Sequence, residues 1–264
     1  MTGGFVYLDA PTPLAFAHRG GAAGGLENSM AAFERCVDLG YRYLETDVHA
    51  TADGVAVAFH DAELDRVTDR TGRIAALPWR EVARARIGGT EPILRLDDLL
   101  AAWSEVRINL DVKAAGAVVP LAAAVARAAA QDRVCVASFS DARVRAARRL
   151  LGPAVCSSLG ARAVTALRLA SYASGAGRLA RTAGRLSRTG APCAQVPLRY
   201  GGRAFCDERL IAAAHARGMQ VHVWTVDTAA EIEAVLDLGV DGVMTDRPEV
   251  LKQVLLVRGK WSSR

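Results

Sequence analysis

Eight short runs rich in β-forming residues, separated by helical patterns, constrain this chain more than any other feature of it. The runs are LAFAH (14–18), YRYLETDV (41–48), RINLDV (107–112), RVCVASF (133–139), AVCSSL (154–159), CAQVPL (193–198), MQVHVWTV (219–226) and DGVMTD (241–246). Helical periodicity occupies 29–40, 117–130, 140–152, 207–218 and 228–239. Several of these helices carry an N-cap candidate in front (Ser29, Ser140, Asp207, Thr228) and a glycine behind (Gly40, Gly152, Gly218, Gly239). Such alternation implies an α/β protein with a parallel sheet. Eight units in 264 residues predict a closed (β/α)8 barrel, a single domain over 1–264. A doubly wound open sheet is the alternative.

Two segments break the alternation. VAVAFH (55–60) follows the second run after only six residues. A parallel crossover needs about a dozen or more, so the connection is expected to be a hairpin turning at Asp53-Gly54. The small insertion after it, about 61–95, is rich in charge and turn residues and is expected to form an inserted lobe.

Composition narrows the class. Half of the chain is hydrophobic and the net charge is a modest +5, which points to a globular protein. Lys113, Lys252 and Lys260 are the only lysines. The five cysteines (Cys36, Cys135, Cys156, Cys193, Cys206) are scattered singly, without paired spacing, and read as buried free thiols in a reducing compartment. The N-terminus has neither a basic start nor a long apolar core, and no run approaches the ~20 apolar residues of a membrane span, so a cytoplasmic location is expected. No basic-aromatic or helix-turn-helix pattern suggests a nucleic-acid partner.

Active sites of such barrels sit at the C-terminal ends of the strands. The first strand ends in His18-Arg19, the second carries Glu45 and Asp47, the third Asp111 and Lys113, and the seventh Trp224. Residues two apart share a strand face, so Glu45 pairs with Asp47 and Asp111 with Lys113. Each acid alone reads as a strand-end salt bridge. Three acids in one mouth would repel each other unless a cation neutralised them, and oxygen ligands favour a hard divalent ion, Mg²⁺ or Ca²⁺. His18 and His60 offer proton transfer near neutral pH. Arg19 suits phosphate oxygens, and Lys113 adds a second positive charge. His215 and His222 read as structural; His49 stays open.

Taken together, AFAHRGG, LENSMAAFERCVDLGYRYLETDVHATADGVAVAFHD, LDRVTDRTGRI, INLDVK and VHVWTVD…DGVMTDRP resemble the glycerophosphodiester phosphodiesterase family over residues 15 to about 250. The resemblance implies a TIM barrel with a small insertion after the His-Asp motif. It implies hydrolysis of a small-molecule glycerophosphodiester to glycerol 3-phosphate and an alcohol. It places His18 and His60 at the catalytic acid/base pair and Glu45, Asp47 and Asp111 at the ligands of one divalent cation. Arg19 and Lys113 fall at the phosphate contacts and Trp224 at a substrate-lining position. Two positions depart from the family pattern: Asp111 stands where Glu is common, and Ala52 where Lys is frequent.

GGAAGG (20–25) lacks the GxGxxG spacing of a dinucleotide loop, and no His-x-His on the first strand supports an amidohydrolase. Lysophospholipase D-type activity on lysolipids, or a non-catalytic headgroup-binding barrel, is the alternative function. Segment 161–191 is Arg-rich and free of acids. It reads as a helix pair with a loop, or as a peripheral membrane contact. Headgroup, ion and oligomeric state are not encoded in any pattern found.

Overall fold

The computed structural model describes residues 4–172 and 190–262. Its framework is eight parallel strands: β1 (Leu14–His18), β2 (Tyr43–Ala50), β3 (Arg107–Val112), β4 (Val134–Ala137), β5 (Cys156–Ser157), β6 (Cys193–Pro197), β7 (Gln220–Trp224) and β8 (Gly242–Thr245). Hydrogen-bonded neighbours run β6-β7-β8-β1-β2-β3-β4-β5. The ring closes between β5 and β6 through the parallel bridge Ser158–Cys193 and the bond from Leu159 N–H to Cys193 O at 3.0 Å. Closure removes the open-sheet alternative.

Besides the single turn Trp79–Val82 in the inserted segment, the described helices between and after the strands are α1 (Met30–Asp38), α2 (Leu96–Ala102), α3 (Val118–Arg127), α4 (Asp141–Leu151), α5 (Ala161–Ser171), α6 (Glu208–His215), α7 (Ala229–Asp237) and α8 (Pro248–Val257). Their starts obey local chemistry. Ser29, Ser140, Asp207 and Thr228 each accept a bond from the backbone N–H three residues on, satisfying an orphan donor of the first turn. The start of α5 is capped from outside: Asp141 accepts from Arg162 and Ala163 N–H. α5 covers the first part of the Arg-rich segment; residues 173–189, and with them the rest of that expected helix pair and membrane contact, lie outside the described residues. No helix among the described residues is long and apolar enough to cross a membrane.

Strands buried on both faces divide their side chains between two layers. On β2 every residue is buried: Leu44 and Val48 join the large apolar layer shared with the helices, while Tyr43 joins the barrel interior. Glu45 and Asp47 continue the Tyr43 face by the two-residue period. The lower interior is closed by Tyr7, Leu14, Phe16, Tyr43 and Met244, with Tyr43 Oη donating to Tyr7 O at 2.7 Å. This apolar floor leaves the polar groups stacked toward the C-terminal mouth.

The chain leaves β2 through a hairpin. Ala56–Ala58 pairs antiparallel with Val48–Ala50, outside the ring of eight, and Gly54 takes φ +82°, the left-handed turn conformation open to glycine. Leu94–Arg95 pairs with the outer edge of this strand. Between them the inserted segment builds a small core of its own around Phe59, Leu64, Ile74, Val82, Ile87 and Ile93.

Candidate active site

β1 and β2 register His18 beside Glu45, and β2 and β3 register Asp47 beside Asp111. The barrel therefore brings His18, Glu45, Asp47 and Asp111 to one mouth. Just past β1, Arg19 takes φ +52°, and its N–H meets both the carbonyl (3.0 Å) and Oε2 (3.2 Å) of Glu45. The next residue must be small. A Cβ on Gly20 would stand 2.9 Å from the Ala32 Cβ of α1, and its φ is +75°. Gly20 thus serves close packing against a helix, which accounts for it without a nucleotide.

The charged side chains form one alternating chain. Lys113 Nζ lies 2.8 Å from Asp47 Oδ1 and 2.9 Å from Asp111 Oδ2. Arg19 Nε lies 3.0 Å from Asp47 Oδ2, and its Nη1 lies 3.3 Å from Glu27. Arg66, from the inserted segment, reaches Glu27 at 2.7 Å and Asp61 at 2.6 Å. Asp61 ends the chain on His60 Nδ1 at 2.5 Å. Asn28, at φ +60°, donates to Asp47 Oδ2 and accepts from Thr46 Oγ1.

Both histidines are held alike. His18 Nδ1 meets Asp246 Oδ1 at 2.6 Å, and His60 Nδ1 meets Asp61 Oδ1. A carboxylate on Nδ1 favours the tautomer with the proton there and leaves Nε2 free for proton transfer. Asp246 is itself placed by Asp227, which accepts its N–H and the hydroxyl of Thr245. His49 supports His60 from below, its Nε2 lying 3.1 Å from the His60 carbonyl. His215 pairs with Asp241, and His222 is buried, both away from this mouth in role.

The ionisation of these groups follows from their neighbours. Burial pushes Glu45 up to about 7, with Asp47 and Asp111 adding to the rise and His18 opposing it. Burial would raise Asp47 too, but Lys113 and Arg19 outweigh it and hold Asp47 below the usual carboxylate range. Burial opposes a charged His18, yet Glu45 and Asp246 outweigh that and raise it. Lys113 is raised likewise by Asp47 and Asp111 against its burial.

A hard cation would find suitable donors here. Glu45, Asp47 and Asp111 are buried oxygen ligands, Asp111 Oδ1 is buried without a hydrogen-bond partner among the described residues, and Glu45 resists its charge. In this structure Lys113 stands between Asp47 and Asp111, while Glu45 turns to His18 Nε2 at 3.7 Å. Trp224 closes the other part of the mouth, edge-on to Phe139 at 5.6 Å; Lys113 Nζ lies 6.0 Å from the same Phe139 ring.

All eight residues singled out from the sequence are thus found at this end of the barrel. Glu27, Asn28, Arg66, Phe139 and Asp246 were not, and Asp61 is read only as part of the His-Asp motif. The LENS tetrapeptide between the glycines and the N-cap held a signal for two of them, since a loop joining a barrel strand to its helix lies at the mouth.

Fold and site together define a (β/α)8 barrel whose C-terminal mouth gathers histidines, acids and cationic side chains. The chain belongs to the glycerophosphoryl diester phosphodiesterase family, whose family model matches residues 18–250. It is 42% identical over 253 residues to the Mycobacterium tuberculosis (strain ATCC 25618 / H37Rv) protein named "Probable glycerophosphodiester phosphodiesterase 2", covering 94% of this chain and 92% of that one. A Silicibacter pomeroyi DSS-3 structure described as a "Putative glycerophosphoryl diester phosphodiesterase" shares the fold with a TM-score of 0.81 at 22% identity, over 98% of this chain and 100% of the other. An Oleispira antarctica phosphodiesterase, solved in complex with the product sn-glycerol-3-phosphate, does so with a TM-score of 0.74 at 22% identity, over 92% and 97%.

Proposed function

We propose that this enzyme hydrolyses glycerophosphodiesters to glycerol 3-phosphate and an alcohol, using His18 and His60 as its acid/base pair and one divalent cation, Mg²⁺ or Ca²⁺, held by Glu45, Asp47 and Asp111. The observation that carries the reading is the pair of histidine–carboxylate dyads, His18–Asp246 and His60–Asp61, in one mouth with Arg19 and Lys113. Two proton transfers are what the reaction needs. A P–O bond forms to the attacking oxygen, which loses a proton, and the P–O bond to the alcohol breaks as the leaving oxygen gains one. The attacking oxygen is that of water, or of the glycerol 2-hydroxyl, in which case the alcohol leaves a cyclic phosphate that water then opens to glycerol 3-phosphate.

Each imidazole presents Nε2, and its Asp partner stabilises the imidazolium when Nε2 holds the proton. Arg19 and Lys113 offer N–H donors to the phosphate oxygens, and their acid partners hold both side chains pre-aimed. Trp224 and Phe139 line the side on which the alcohol or glycerol carbon skeleton rests. The cation supplies Lewis acidity and neutralises phosphate charge. The buried free thiols support a reducing, cytoplasmic setting.

The test is release of glycerol 3-phosphate from glycerophosphocholine and glycerophosphoethanolamine with Mg²⁺, with Ca²⁺ and with a chelator. Metal-dependent release is the expected result. Tight binding of these diesters without turnover under any condition would overturn the hydrolytic reading, and full turnover in chelator would overturn the metal.

A further inference from the structure

Three of the cysteines that the sequence scatters come together in the barrel. Cys135 lies on β4, Cys156 on β5 and Cys193 at the start of β6. β4 and β5 register Cys135 beside Cys156, and the bridge that closes the ring joins Ser158 to Cys193. The three sulfur atoms all lie within 4.8 Å of one another. Three sulfurs around one ion at the usual Zn–S bond length of about 2.3 Å stand about 4 Å apart, so the cluster is close to a ligand set before any ion arrives.

The surroundings select the kind of ligand. All three thiols are free and buried, at 0%, 1% and 0% exposure. Tyr7, Phe16, Tyr43 and Met244 pack around them and exclude water. Cys135 registers beside Asn109, one side-chain layer below Asp111, so the cluster is separate from the acids of the mouth. His222, fully buried, leaves Nδ1 without a hydrogen-bond partner among the described residues. Cys193 Sγ also lies 3.8 Å from the Ser157 carbonyl, to which it donates.

We propose that Cys135, Cys156 and Cys193 form a second metal site, which holds one soft closed-shell cation of the Cu⁺, Zn²⁺ or Cd²⁺ kind through three sulfurs. Soft thiolates prefer such ions to the hard ions suited to carboxylates. Each thiol that ligates releases its proton to solvent, and no electron is transferred. The site also has a mechanical role. It spans β4, β5 and β6 where the ring is thinnest, since β5 has two residues and closure rests on an isolated bridge. A bound ion fastens that seam.

The buried site must be loaded as the chain folds. The full chain is therefore produced in medium containing Cd²⁺, purified under reducing conditions and dialysed against a chelator. The expected result is one retained Cd²⁺ per chain with a thiolate-to-Cd²⁺ charge-transfer band, which a carboxylate site cannot give. X-ray absorption on the wild-type protein should count three sulfur ligands. Cys156→Ala and Cys193→Ala should lose ion and band, whereas Cys36→Ala and Cys206→Ala, which alter buried thiols outside the cluster, keep both. Loaded protein should melt higher than metal-free protein with its diester hydrolysis unchanged. A wild-type chain without sulfur-bound Cd²⁺, or a band that survives in Cys193→Ala, overturns the proposal; the absorption count decides even if a variant fails to fold.

Discussion

The Lys113 ammonium lies 2.8 Å from Asp47 Oδ1, and the carboxylate it neutralises is 1% exposed. The same ammonium serves Asp111, so one lysine offsets two acids that would otherwise share a mouth. Lys113→Met removes the charge but keeps the apolar stem. Asp47 then keeps Arg19, but Asp111 loses its cationic partner, and leaving a buried charge unpaired costs about 3 kcal/mol. Metal-free Lys113→Met should therefore unfold at clearly lower denaturant than wild type. A saturating divalent cation should restore more stability to the variant than to wild type, because it replaces the lost charge. Denaturant titrations with chelator and with Mg²⁺ or Ca²⁺ measure both; equal metal effects on the two proteins would refute the shared role.

Glu45 predicts the pH dependence of the metal-free fold. Its folded value of about 7 exceeds the ordinary 4.5, so the folded chain keeps a proton that the unfolded chain has already released. Stability contributed by that proton is complete below about 4.5 and is lost as pH rises toward 7. His18, also raised, acts in the same direction: its stabilisation is present below about 6.5 and fades as pH rises through the folded value. Asp47, lowered, and Asp61, lowered to about 2 chiefly by Arg66, act only in acid, where they lose stability below about 4. Between pH 5 and 8 the metal-free protein should lose on the order of 1–3 kcal/mol. A divalent cation should recover more at pH 8 than at pH 5, since it competes with the Glu45 proton. A stability profile that is flat in chelator across this window would contradict the assignment.

The two dyads predict a particular kinetic signature. Asp246→Asn preserves shape but turns the orienting acceptor of His18 into an amide, which favours the other tautomer. The expected loss is about 10²–10⁴ in kcat with KM little changed, as when an orienting carboxylate is replaced in a catalytic triad. Asp61→Asn should behave likewise through His60. The pH–rate profile should move with each substitution, which a merely structural role would not produce. Near-normal turnover in Asp246→Asn would remove that dyad from the mechanism.

The strands were legible because both of their faces are buried, which writes apolar runs into the sequence, and the strand-end groups His18, Glu45, Asp47 and Asp111 inherited their positions from those runs. Partners delivered by ring closure were not. Asp246 is 228 residues from His18 and becomes its neighbour only because β8 packs beside β1. Arg66 belongs to a segment of very short elements with little periodicity to read. Cysteine spacing correctly read the thiols as free and buried but could not show their grouping: Cys135, Cys156 and Cys193 are single residues on successive strands, and strand register makes a cluster that linear spacing cannot reveal.

Arg66 gives the sharpest separation of activity from stability. Its guanidinium bridges Asp61 at 2.6 Å and Glu27 at 2.7 Å, and so ties the inserted segment to the loop that carries Arg19's partner. The side chain is 48% exposed, so solvent screens the pairs and their contribution to stability is below about 1 kcal/mol. Geometry is another matter. Asp61 holds His60, and a carboxylate that loses its second partner is free to turn away from the imidazole. Arg66→Met should cost about tenfold or more in kcat/KM while the melting temperature falls by only about 2–4 °C. Arg66→Lys should rescue little, because a single ammonium cannot reproduce a fork that reaches two carboxylates. Steady-state kinetics beside thermal melts of the three proteins settle it: full activity in Arg66→Met would show that His60 is positioned without this bridge.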